Sequence, residues 1–232
     1  MPETALVLVC KRPSWGTGKQ RLAGFFGRET AERVATSLLA CALEDCRAWP
    51  GPVIIAPARS EDRVWAEGLM KSAAVIPQEA GNLGHRLNVL DRSLRREGFV
   101  RLVYMGSDAP GLGKPDFDAA RDALDRYDVA VAPAEDGGVV LMASRTPWPD
   151  LEGLPWSTGD LGLSLQDLCR SQGGSIETLA KGFDIDWPED LLRAVSVLSS
   201  DSRPARQALL RLLFRLSGDS ARAQEIKSGR SH

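Results

Sequence analysis

Residues 5–21, with the sequence ALVLVCKRPSWGTGKQR, decide the fold prediction. The first six form a continuous apolar run, which is typical of a strand buried on both faces. The other eleven contain two glycines and four basic side chains. Because ligands of open α/β sheets bind at the carboxyl ends of the strands, this order predicts a ligand-binding loop directly after a buried strand.

The same alternation of apolar strands and helical segments continues along the chain. Further strands are predicted over residues 53–56, 74–76, 102–105, 129–133, 139–143, 175–179 and 183–185. Helices are predicted over residues 29–47, 60–70, 83–96, 115–126, 162–172 and 188–198. This alternation indicates an α/β fold with a mostly parallel sheet and right-handed crossovers. The Asp-Gly turn at residues 136–137 predicts an antiparallel exception between the strands on either side of it.

The chain length of 232 residues favours one α/β domain with an appendage. We predict a domain over residues 1–199, followed by an amphipathic helix and a frayed tail over residues 200–232. In that helix five leucines between residues 209 and 216 interleave with Arg206, Arg211 and Arg215.

The composition excludes several classes of protein. The net charge of −2 leaves no global positive field for nucleic acid. Two histidines, and four cysteines without paired spacing, exclude zinc ribbons and multi-histidine metal sites. His85 is the one histidine before the last residue, which disfavours a hydrolase with a catalytic histidine.

The cysteine pattern also predicts the compartment. Unpaired cysteines are typical of small buried hydrophobes in a reducing cytoplasm. The apolar run at residues 5–10 is too short for the core of a signal peptide. No stretch approaches the roughly 20 apolar residues that span a bilayer. We therefore expect a cytoplasmic protein without a transmembrane segment.

The loop over residues 11–21 is a candidate phosphate site. Its glycines allow a ligand to approach the backbone, and arginine can bind phosphate oxygens bidentately. It is not a P-loop, because Gln20 stands where that motif requires Ser or Thr. An ordinary solvated loop is the alternative. The basic residues concerned are Lys11, Arg12, Lys19 and Arg21.

Carboxylates follow two of the predicted strands. Asp108 could hold Mg²⁺ or Mn²⁺, or could form an Asx turn before Pro110. Asp184 and Asp186 would lie on the same side of a strand. Asp186 with Glu189 also resembles a capping box at the start of the next helix, and one residue could serve both roles.

Three further segments have a structural and a functional interpretation. Asp136 is a hairpin residue or an acid that contacts the substrate. Trp156 could stack on a base or sugar, or close a surface loop, and the adjacent Ser157 and Thr158 could cap a helix. Residues 81–84 could receive the polar edge of a nucleotide or simply begin a helix.

Six segments in this order resemble the DUF2064 family, also described as selenodomain-associated transferase 1 or arsenosugar-biosynthesis-type glycosyltransferases. The resemblance extends from residue 11 to about residue 191. The segments are Lys11-x-Pro13 with Gly18-Lys19-x-Arg21-Leu22; Gln78 with Gly81-Asn82-Leu83-Gly84-x-Arg86-Leu87; Gly106-Ser107-Asp108-x-Pro110; Pro133-Ala134-x-Asp136-Gly137-Gly138; Trp156-Ser157-Thr158; and Asp184-x-Asp186-x-Pro188-Glu189-Asp190-Leu191.

The resemblance implies a three-layer α/β/α sandwich of the GT-A type, the Rossmann-like fold of nucleotide-diphospho-sugar transferases. It implies a divalent metal at Asp108, helped by Asp186, and a catalytic role for Asp108 and Asp136. The implied nucleotide-binding residues are Lys11, Arg12, Gly18, Lys19, Arg21, Gln78, Gly81, Asn82, Gly84 and Arg86. The implied substrate contacts are Gly137, Gly138, Trp156, Ser157, Thr158 and Asp184.

The function implied by the resemblance is metal-dependent glycosyl transfer from a nucleotide-diphospho-sugar to a small acceptor, with Mg²⁺ or Mn²⁺. The first alternative is a guanylyltransferase-like nucleotidyltransferase that uses a nucleoside triphosphate and releases pyrophosphate, which the many cations of residues 11–21 favour. The second alternative is a non-catalytic nucleotide-binding or scaffold protein. The helix after residue 200 packs on its own domain, or contacts a partner, a second subunit or an anionic membrane surface.

Overall fold

The computed structural model describes residues 3–14 and 19–228, and within them a seven-stranded sheet flanked by helices. The strands are β1 Thr4–Cys10, β2 Val53–Pro57, β3 Ala74–Val75, β4 Arg101–Met105, β5 Val129–Pro133, β6 Val139–Ser144 and β7 Ile176–Thr178. The helices are α1 Gln20–Phe26, α2 Arg28–Ala48, α3 Arg63–Glu67, α4 Leu83–Arg96, α5 Lys114–Ala123, α6 Leu161–Ser171, α7 Pro188–Leu198 and α8 Pro204–Ser228.

The sheet has the order β3-β2-β1-β4-β6-β5-β7. Every pair of neighbours is parallel except β4–β6 and β5–β6, so β6 is the one antiparallel strand of this sheet. The mostly parallel sheet and its antiparallel exception at the hairpin after residue 133 are confirmed. Since β1 and β4 are adjacent and parallel, the loops that follow them emerge at the same edge.

Alternating residues of β1 face the two sides of the sheet, which gives the fold its three layers. Leu6 and Leu8 are fully buried in a cluster that includes residues of α2 and α5. Ala5 and Val7 are fully buried in a second cluster that includes residues of α4 and α6. The predicted α/β fold class is therefore confirmed.

A third apolar cluster lies among helices α1, α2, α7 and α8. The leucines of α8, including the fully buried Leu209 and Leu213, pack there against Leu38 of α2 and Leu198 of α7. The face of α8 predicted to be apolar is thus covered by this chain's own helices. Arg206, which the periodicity placed with the polar residues of that helix, is also fully buried.

Several predicted elements differ from the structure. Residues 183–185 are extended but are not a strand, because the main-chain N–H of Ile185 donates to the carbonyl of Asp108 in a loop. The helix predicted over residues 60–70 is a single 3-10 turn, Ser60–Asp62, followed by the short α3, and the side chain of Ser60 forms no cap. Helix α1 was not predicted from the sequence.

All four cysteines are buried and free of disulfides, as the spacing predicted. Burial raises the pKa of the Cys10, Cys41 and Cys46 thiols to about 12 and that of Cys169 to about 11. They therefore remain protonated at neutral pH and behave as small apolar side chains. No helix within the described part of the chain combines the length and apolarity that crossing a membrane requires.

Candidate functional site

A cleft of about 600 Å³ lies where the loops after β1 and β4 meet. Its walls include Val9 and Cys10 at the end of β1, and Gly106, Ser107 and Asp108 directly after β4. This is the edge at which open α/β sheets bind their ligands. The site is thus positioned by the two central strands of the sheet.

The cleft brings together most of the residues singled out from the sequence. Those that line it are Lys11, Arg12, Lys19, Arg21, Gln78, Arg86, Asp108, Asp136, Gly138, Trp156, Ser157, Thr158, Asp184 and Asp186. Four others, Gly81, Asn82, Gly84 and Gly137, are not part of its walls. Gly18 lies outside the described residues.

Three of these four have clear structural roles next to the cleft. The Asn82 side chain caps α4, accepting a hydrogen bond from the His85 main-chain N–H at 2.9 Å. A Cβ at Gly84 would lie 2.1 Å from the carbonyl oxygen of Leu151. Gly137 has a φ of +89°, and a Cβ there would lie 1.8 Å from the carbonyl oxygen of Gly159. Both glycines therefore permit close backbone packing that shapes the neighbouring wall.

Three carboxylates converge at one end of the cleft. Asp108, Asp184 and Asp186 each offer an oxygen, and these oxygens lie within 4.8 Å of one another. The two chain segments are joined by the hydrogen bond from Ile185 N–H to the Asp108 carbonyl, at 3.0 Å. The sequence singled out Asp108 and Asp186 as the metal pair and Asp184 as a substrate contact, and the structure places all three in one cluster.

The capping box predicted at Asp186 and Glu189 is wrong. The cap of α7 is Asp190, whose Oδ2 accepts from the main-chain N–H groups of Asp186 and Trp187 at 2.9 and 2.6 Å. The Asp186 side chain is consequently free of the capping role and contacts basic residues at the cleft instead.

Lys19 bridges two members of the acidic cluster. Its Nζ lies 2.7 Å from Asp186 Oδ1 and 3.2 Å from Asp108 Oδ2. Burial by itself would lower the pKa of Lys19, but the two carboxylates together raise it above its ordinary value. The ammonium therefore stays charged and partly balances the cluster.

The two arginines of the loop also contact neighbouring side chains. Arg21 Nη1 lies 3.3 Å from Asp186 Oδ2, and its guanidinium carbon stands 4.4 Å from the centre of the Trp187 ring. Arg12 Nη1 lies 3.7 Å from Asp62 Oδ1. The stacking of Trp187 on Arg21 was missed by sequence reasoning, although its position directly after Asp186 was a signal.

Asp184 is the most strongly perturbed carboxyl group of the cleft. Its pKa is raised to about 7, first by burial and then by the nearby carboxylates of Asp108, Asp136 and Asp186, against the opposing effect of Lys19. Like charges held this close disfavour ionisation of one member. The cluster therefore carries more negative charge than the surrounding protein balances.

The donor set of the cluster fits a hard divalent cation. Carboxylate oxygens are the ligands that Mg²⁺ and Mn²⁺ prefer. The side chains of Asp108 and Asp186 are 41% and 36% exposed, so both are accessible from the cleft. A cation here would also relieve the repulsion that raises the pKa of Asp184.

Asp136 occupies the turn between β5 and β6 and faces the cleft. Its Oδ1 accepts a hydrogen bond from the Gly138 main-chain N–H at 2.9 Å, so it has the structural role of a turn residue. The same side chain is exposed and lines the cleft. Its two interpretations, turn residue and substrate contact, are therefore compatible.

The loop before α6 forms another part of the wall. Trp156 donates from Nε1 to the Leu151 carbonyl at 2.8 Å, which closes the loop. The Thr158 hydroxyl donates to the Pro155 carbonyl and accepts from the Asp160 N–H. These side chains fix the loop locally and do not cap α6.

Two polar groups in the cleft have unpaired buried atoms. Gln78 donates from Nε2 to the Ala56 carbonyl at 2.6 Å, while its buried Oε1 has no partner among the described residues. The buried Nε of Arg86 likewise lacks a partner there, and burial lowers the pKa of its guanidinium. Both residues line the cleft, as do the apolar Leu83 and Leu87, and they offer an acceptor and a donor to a ligand.

A sequence profile of the DUF2064 family, described as an uncharacterized protein conserved in bacteria, matches residues 40–158 of this chain. That span contains Asp108, Asp136 and the segment from Gln78 to Arg86. The basic loop and the segment with Asp184 and Asp186 lie outside it. A search of curated proteins finds no match.

Solved structures share the fold. A candidate nucleotide-diphospho-sugar transferase from Desulfovibrio desulfuricans is 23% identical with a TM-score of 0.84, covering 93% of this chain and 98% of its own. A cytidylyltransferase from Leptospira borgpetersenii is 11% identical with a TM-score of 0.52, covering 95% and 96%. The 4-diphosphocytidyl-2C-methyl-D-erythritol synthase from Anaerococcus prevotii is 11% identical with a TM-score of 0.51, covering 84% and 96%.

Proposed function

This protein belongs to the DUF2064 family, and we propose that it is a metal-dependent transferase that uses an activated nucleotide. We further propose that it is a glycosyltransferase, which moves a sugar from a nucleotide-diphospho-sugar to a small acceptor. The observation that carries the proposal is the convergence of Asp108, Asp184 and Asp186 beside the basic loop in one cleft.

The basic loop would bind the phosphates of the donor. Lys11 and Arg12 directly follow β1, and both line the cleft. Lys19 and Arg21 reach the same cleft and already contact the acidic cluster. Cations placed on both sides of a diphosphate orient it and stabilise the charge that develops on it as it leaves.

Asp108, Asp184 and Asp186 would hold Mg²⁺ or Mn²⁺. When bound, such an ion supplies positive charge that neutralises phosphate oxygens. Gln78 and Arg86 offer an acceptor and a donor at another part of the cleft, which suits the polar edge of a nucleobase. The substrate would thus be held at its phosphates and at its base by separate sets of residues.

Transfer requires an acceptor with a nucleophilic oxygen. That oxygen attacks the anomeric carbon of the sugar, the bond from this carbon to the diphosphate breaks, and nucleoside diphosphate leaves. Asp136 lines the cleft with an exposed carboxylate that would accept the acceptor's proton. Gly138 and the loop with Trp156, Ser157 and Thr158 would bound the space for the transferred group and the acceptor.

Nucleotidyl transfer is the second candidate, and the density of positive charge favours it. Four basic side chains within residues 11–21 line the cleft, which suits a triphosphate. In that reaction the acceptor oxygen attacks the α-phosphorus and pyrophosphate leaves. Product analysis distinguishes the two reactions, since one releases nucleoside diphosphate and the other releases pyrophosphate.

The proposal is tested by thermal denaturation with a panel of nucleotide-sugars and nucleoside triphosphates, with and without Mn²⁺. A ligand that binds only the folded state raises the Tm by mass action. We expect a nucleotide-sugar to raise the Tm of the wild type in a manner that depends on Mn²⁺, and this shift to be lost in Asp108→Asn. Asp122→Asn, an exposed carboxyl on α5, is the matched control.

Other outcomes redirect the proposal. Stabilisation by a triphosphate alone would favour nucleotidyl transfer. Binding without turnover, with any candidate acceptor, would favour a non-catalytic nucleotide-binding protein. No shift with any compound would contradict the nucleotide site itself.

A further inference from the structure

Arg206, near the start of α8, is the largest fully buried side chain described in the chain. Its guanidinium forms five hydrogen bonds, as many as it has N–H groups. The acceptors are the main-chain carbonyls of Cys41, Pro110 and Leu112 and the carboxylates of Glu44 and Asp45. No donor of this buried cation is left without a partner.

Two of these acceptors belong to the turn that follows Asp108. Arg206 Nε lies 3.3 Å from the Pro110 carbonyl oxygen, and Nη2 lies 3.1 Å from that of Leu112. Arg203, the residue directly before α8, donates from Nη2 to the Leu112 carbonyl at 3.0 Å. The turn is therefore anchored to α8 by arginine side chains at both carbonyls.

The other end of the same turn contacts the second acidic segment. The Asp108 carbonyl accepts the hydrogen bond of Ile185, whose neighbours Asp184 and Asp186 complete the acidic cluster. Residues 108–112 thus lie between α8 and residues 184–186. A change in the position of this turn would alter the spacing of the three carboxylates.

We propose that Arg206 is a positioning residue of the cleft, which holds the turn after Asp108 so that the three carboxylates are correctly spaced for a divalent cation. The inference rests on the proposed function for the identity of the bound ion. The role extends the site to the C-terminal helix, which lies outside residues 40–158 that match the family profile.

The chemistry of this position requires arginine. A planar guanidinium presents five donors in a fixed fork, whereas a lysine ammonium presents three from a single atom. A lysine here would keep the positive charge beside Glu44 and Asp45 but could not bind all five acceptors. Arg206→Lys therefore removes hydrogen bonds to the turn while it leaves the net charge beside Glu44 and Asp45 unchanged.

The matched control is Leu209→Ala, in the same helix. Leu209 is fully buried in the apolar cluster between α8, α2 and α7, so its truncation weakens the packing of α8 without removing a donor to the turn. Arg206→Met is a third variant, which removes the charge as well. If it does not fold, Arg206→Lys and the control still provide the comparison.

Two measurements on the full chain decide the proposal. The first is the affinity for Mn²⁺ alone, measured by electron paramagnetic resonance of the free ion. The second is hydrogen exchange of two amides: that of Leu112, which donates within the turn, and that of Ile185, which donates from the acidic segment to the turn. Amides of β5 and β6 serve as internal references.

We expect Arg206→Lys to weaken Mn²⁺ binding by roughly 10- to 100-fold, the usual effect of removing a group that orients metal ligands. Exchange at Leu112 and Ile185 should accelerate by about tenfold, in keeping with the loss of about one hydrogen bond's contribution. Leu209→Ala should lower the Tm while leaving both quantities close to those of the wild type.

The proposal is overturned if Arg206→Lys leaves both quantities unchanged, or if Leu209→Ala changes them as much for an equal loss of stability. If the wild type does not bind Mn²⁺, the metal in the proposed function is wrong. Hydrogen exchange then decides the positioning role by itself, because it requires no ligand.

Discussion

Residues 108–112 contact two clusters of charged side chains, through Asp108 at one end and the Pro110 and Leu112 carbonyls at the other. The clusters differ in how completely the protein balances their charges and pairs their hydrogen-bonding groups. The cleft cluster consists of Lys19, Asp108, Asp184 and Asp186. The helix cluster consists of Glu44, Asp45, Asp201, Arg203 and Arg206. Both connect segments that are distant in sequence, so composition alone does not distinguish them.

The two clusters are distinguished by their burial and their hydrogen bonding. In the helix cluster the side chain of Arg206 is 0% exposed and that of Asp45 is 5% exposed, and every donor of Arg206 is used. In the cleft cluster the Asp184 carboxylate accepts no hydrogen bond from the described residues. Burial raises the pKa in both clusters: to about 6 for Asp45, where Arg206 opposes the rise, and to about 7 for Asp184, where neighbouring carboxylates add to it. The difference teaches that unbalanced, accessible charge indicates a ligand site, whereas saturated, buried charge indicates a structural one.

The largest effect is expected from breaking the helix cluster. Arg206→Met should lower the free energy of unfolding by about 3–5 kcal/mol, because Glu44 and Asp45 would remain buried without their main cation. Chemical denaturation followed by circular dichroism measures this. Arg211→Met, an exposed arginine of the same helix, is the control and should have little effect. A similar loss in the two variants would contradict the assignment.

The next effect is expected from the cation of the cleft cluster. Lys19→Met should lower the free energy of unfolding by about 1–2 kcal/mol, since Asp108 and Asp186 lose a largely buried partner. Mn²⁺ should restore more stability to this variant than to the wild type, because the ion supplies the missing positive charge. Denaturation with and without Mn²⁺ tests both points.

Lys11→Met is the matched control for that experiment. Lys11 lies in the same loop and is exposed. It should lose little stability, and its response to Mn²⁺ should equal that of the wild type. An equal response of Lys19→Met and the wild type to Mn²⁺ would argue against a cation site at these carboxylates.

Asp184→Asn should have a smaller effect, and it should raise the free energy of unfolding where the previous variants lower it. The pKa of this group is raised from 3.8 to about 7 in the folded protein, so the folded state keeps a proton that the unfolded state releases. The contribution of Asp184 to wild-type stability therefore falls as the pH rises from about 4 to about 7. With a chelator present, the variant should be more stable than the wild type by about 1 kcal/mol at pH 8, allowing for a site partly open to water.

The gain in stability from Asp184→Asn should be smaller at pH 5, where Asp184 is protonated in the folded protein. Denaturation at the two pH values measures it, with Asp122→Asn as the control. The same substitution should abolish stabilisation by Mn²⁺. A loss of stability at pH 8 would show that Asp184 has a structural role like that of Asp45.

The smallest effect is expected from substituting Asp128, a carboxylate that is hydrogen-bonded but less buried than Asp45. Asp128 accepts hydrogen bonds from the N–H and hydroxyl of Ser175 at 2.9 and 2.7 Å and pairs with Arg145. The hydrogen bonds from Ser175 hold its pKa below the ordinary value. Asp128→Asn should cost about 0.5–1 kcal/mol at pH 7.

For a lowered pKa the sign of the pH dependence is reversed. The stabilisation by Asp128 is complete above the unfolded value near 4 and is lost as the pH falls below it. Denaturation curves of wild type and variant should therefore converge in acid. A difference that persists at pH 2 would mean that the substitution acts through packing and not through charge.

The regular elements with strong local signals could be predicted from sequence alone. Helices α4 and α7 and strand β5 have the predicted bounds. Asn82 caps the start of α4, Pro188 begins α7, and a continuous apolar run marks β5. Helix α1 was missed because it is stabilised by packing against other helices, through the buried Leu22 and the partly buried Ala23 and Phe26. Tertiary packing of this kind leaves no local pattern.

The site was predicted as an arrangement only in part: the resemblance implied that Asp186 helps Asp108 to hold a metal, whereas Asp184 was expected as a substrate contact. Asp108, Asp184 and Asp186 were each identified, but their convergence depends on the hydrogen bond between Ile185 and the Asp108 carbonyl. The ion pairs of Lys19 could not be inferred, because a lysine in a loop has the same sequence signal whether it faces phosphate or carboxylate.

Arg206 shows the clearest failure of periodicity. An arginine among leucines predicts the polar face of an amphipathic helix, which holds for Arg211 and Arg215, both exposed. Arg206 is buried because the carbonyls and carboxylates that bind it come from α2 and from the turn after Asp108. Only the three-dimensional structure brings these acceptors together.

The separation of 167 residues between Lys19 and Asp186 has a consequence for the growing chain. As the protein is made from its amino terminus, β1, β2 and β4 can pair before residue 186 has left the ribosome. During that interval Lys19 lacks Asp186, the closer of its two carboxylate partners, and the leucines of α1 and α2 lack the cover of α8. The acidic cluster can therefore be completed once residue 186 has emerged, whereas the apolar surface of α1 and α2 stays exposed until α8 follows.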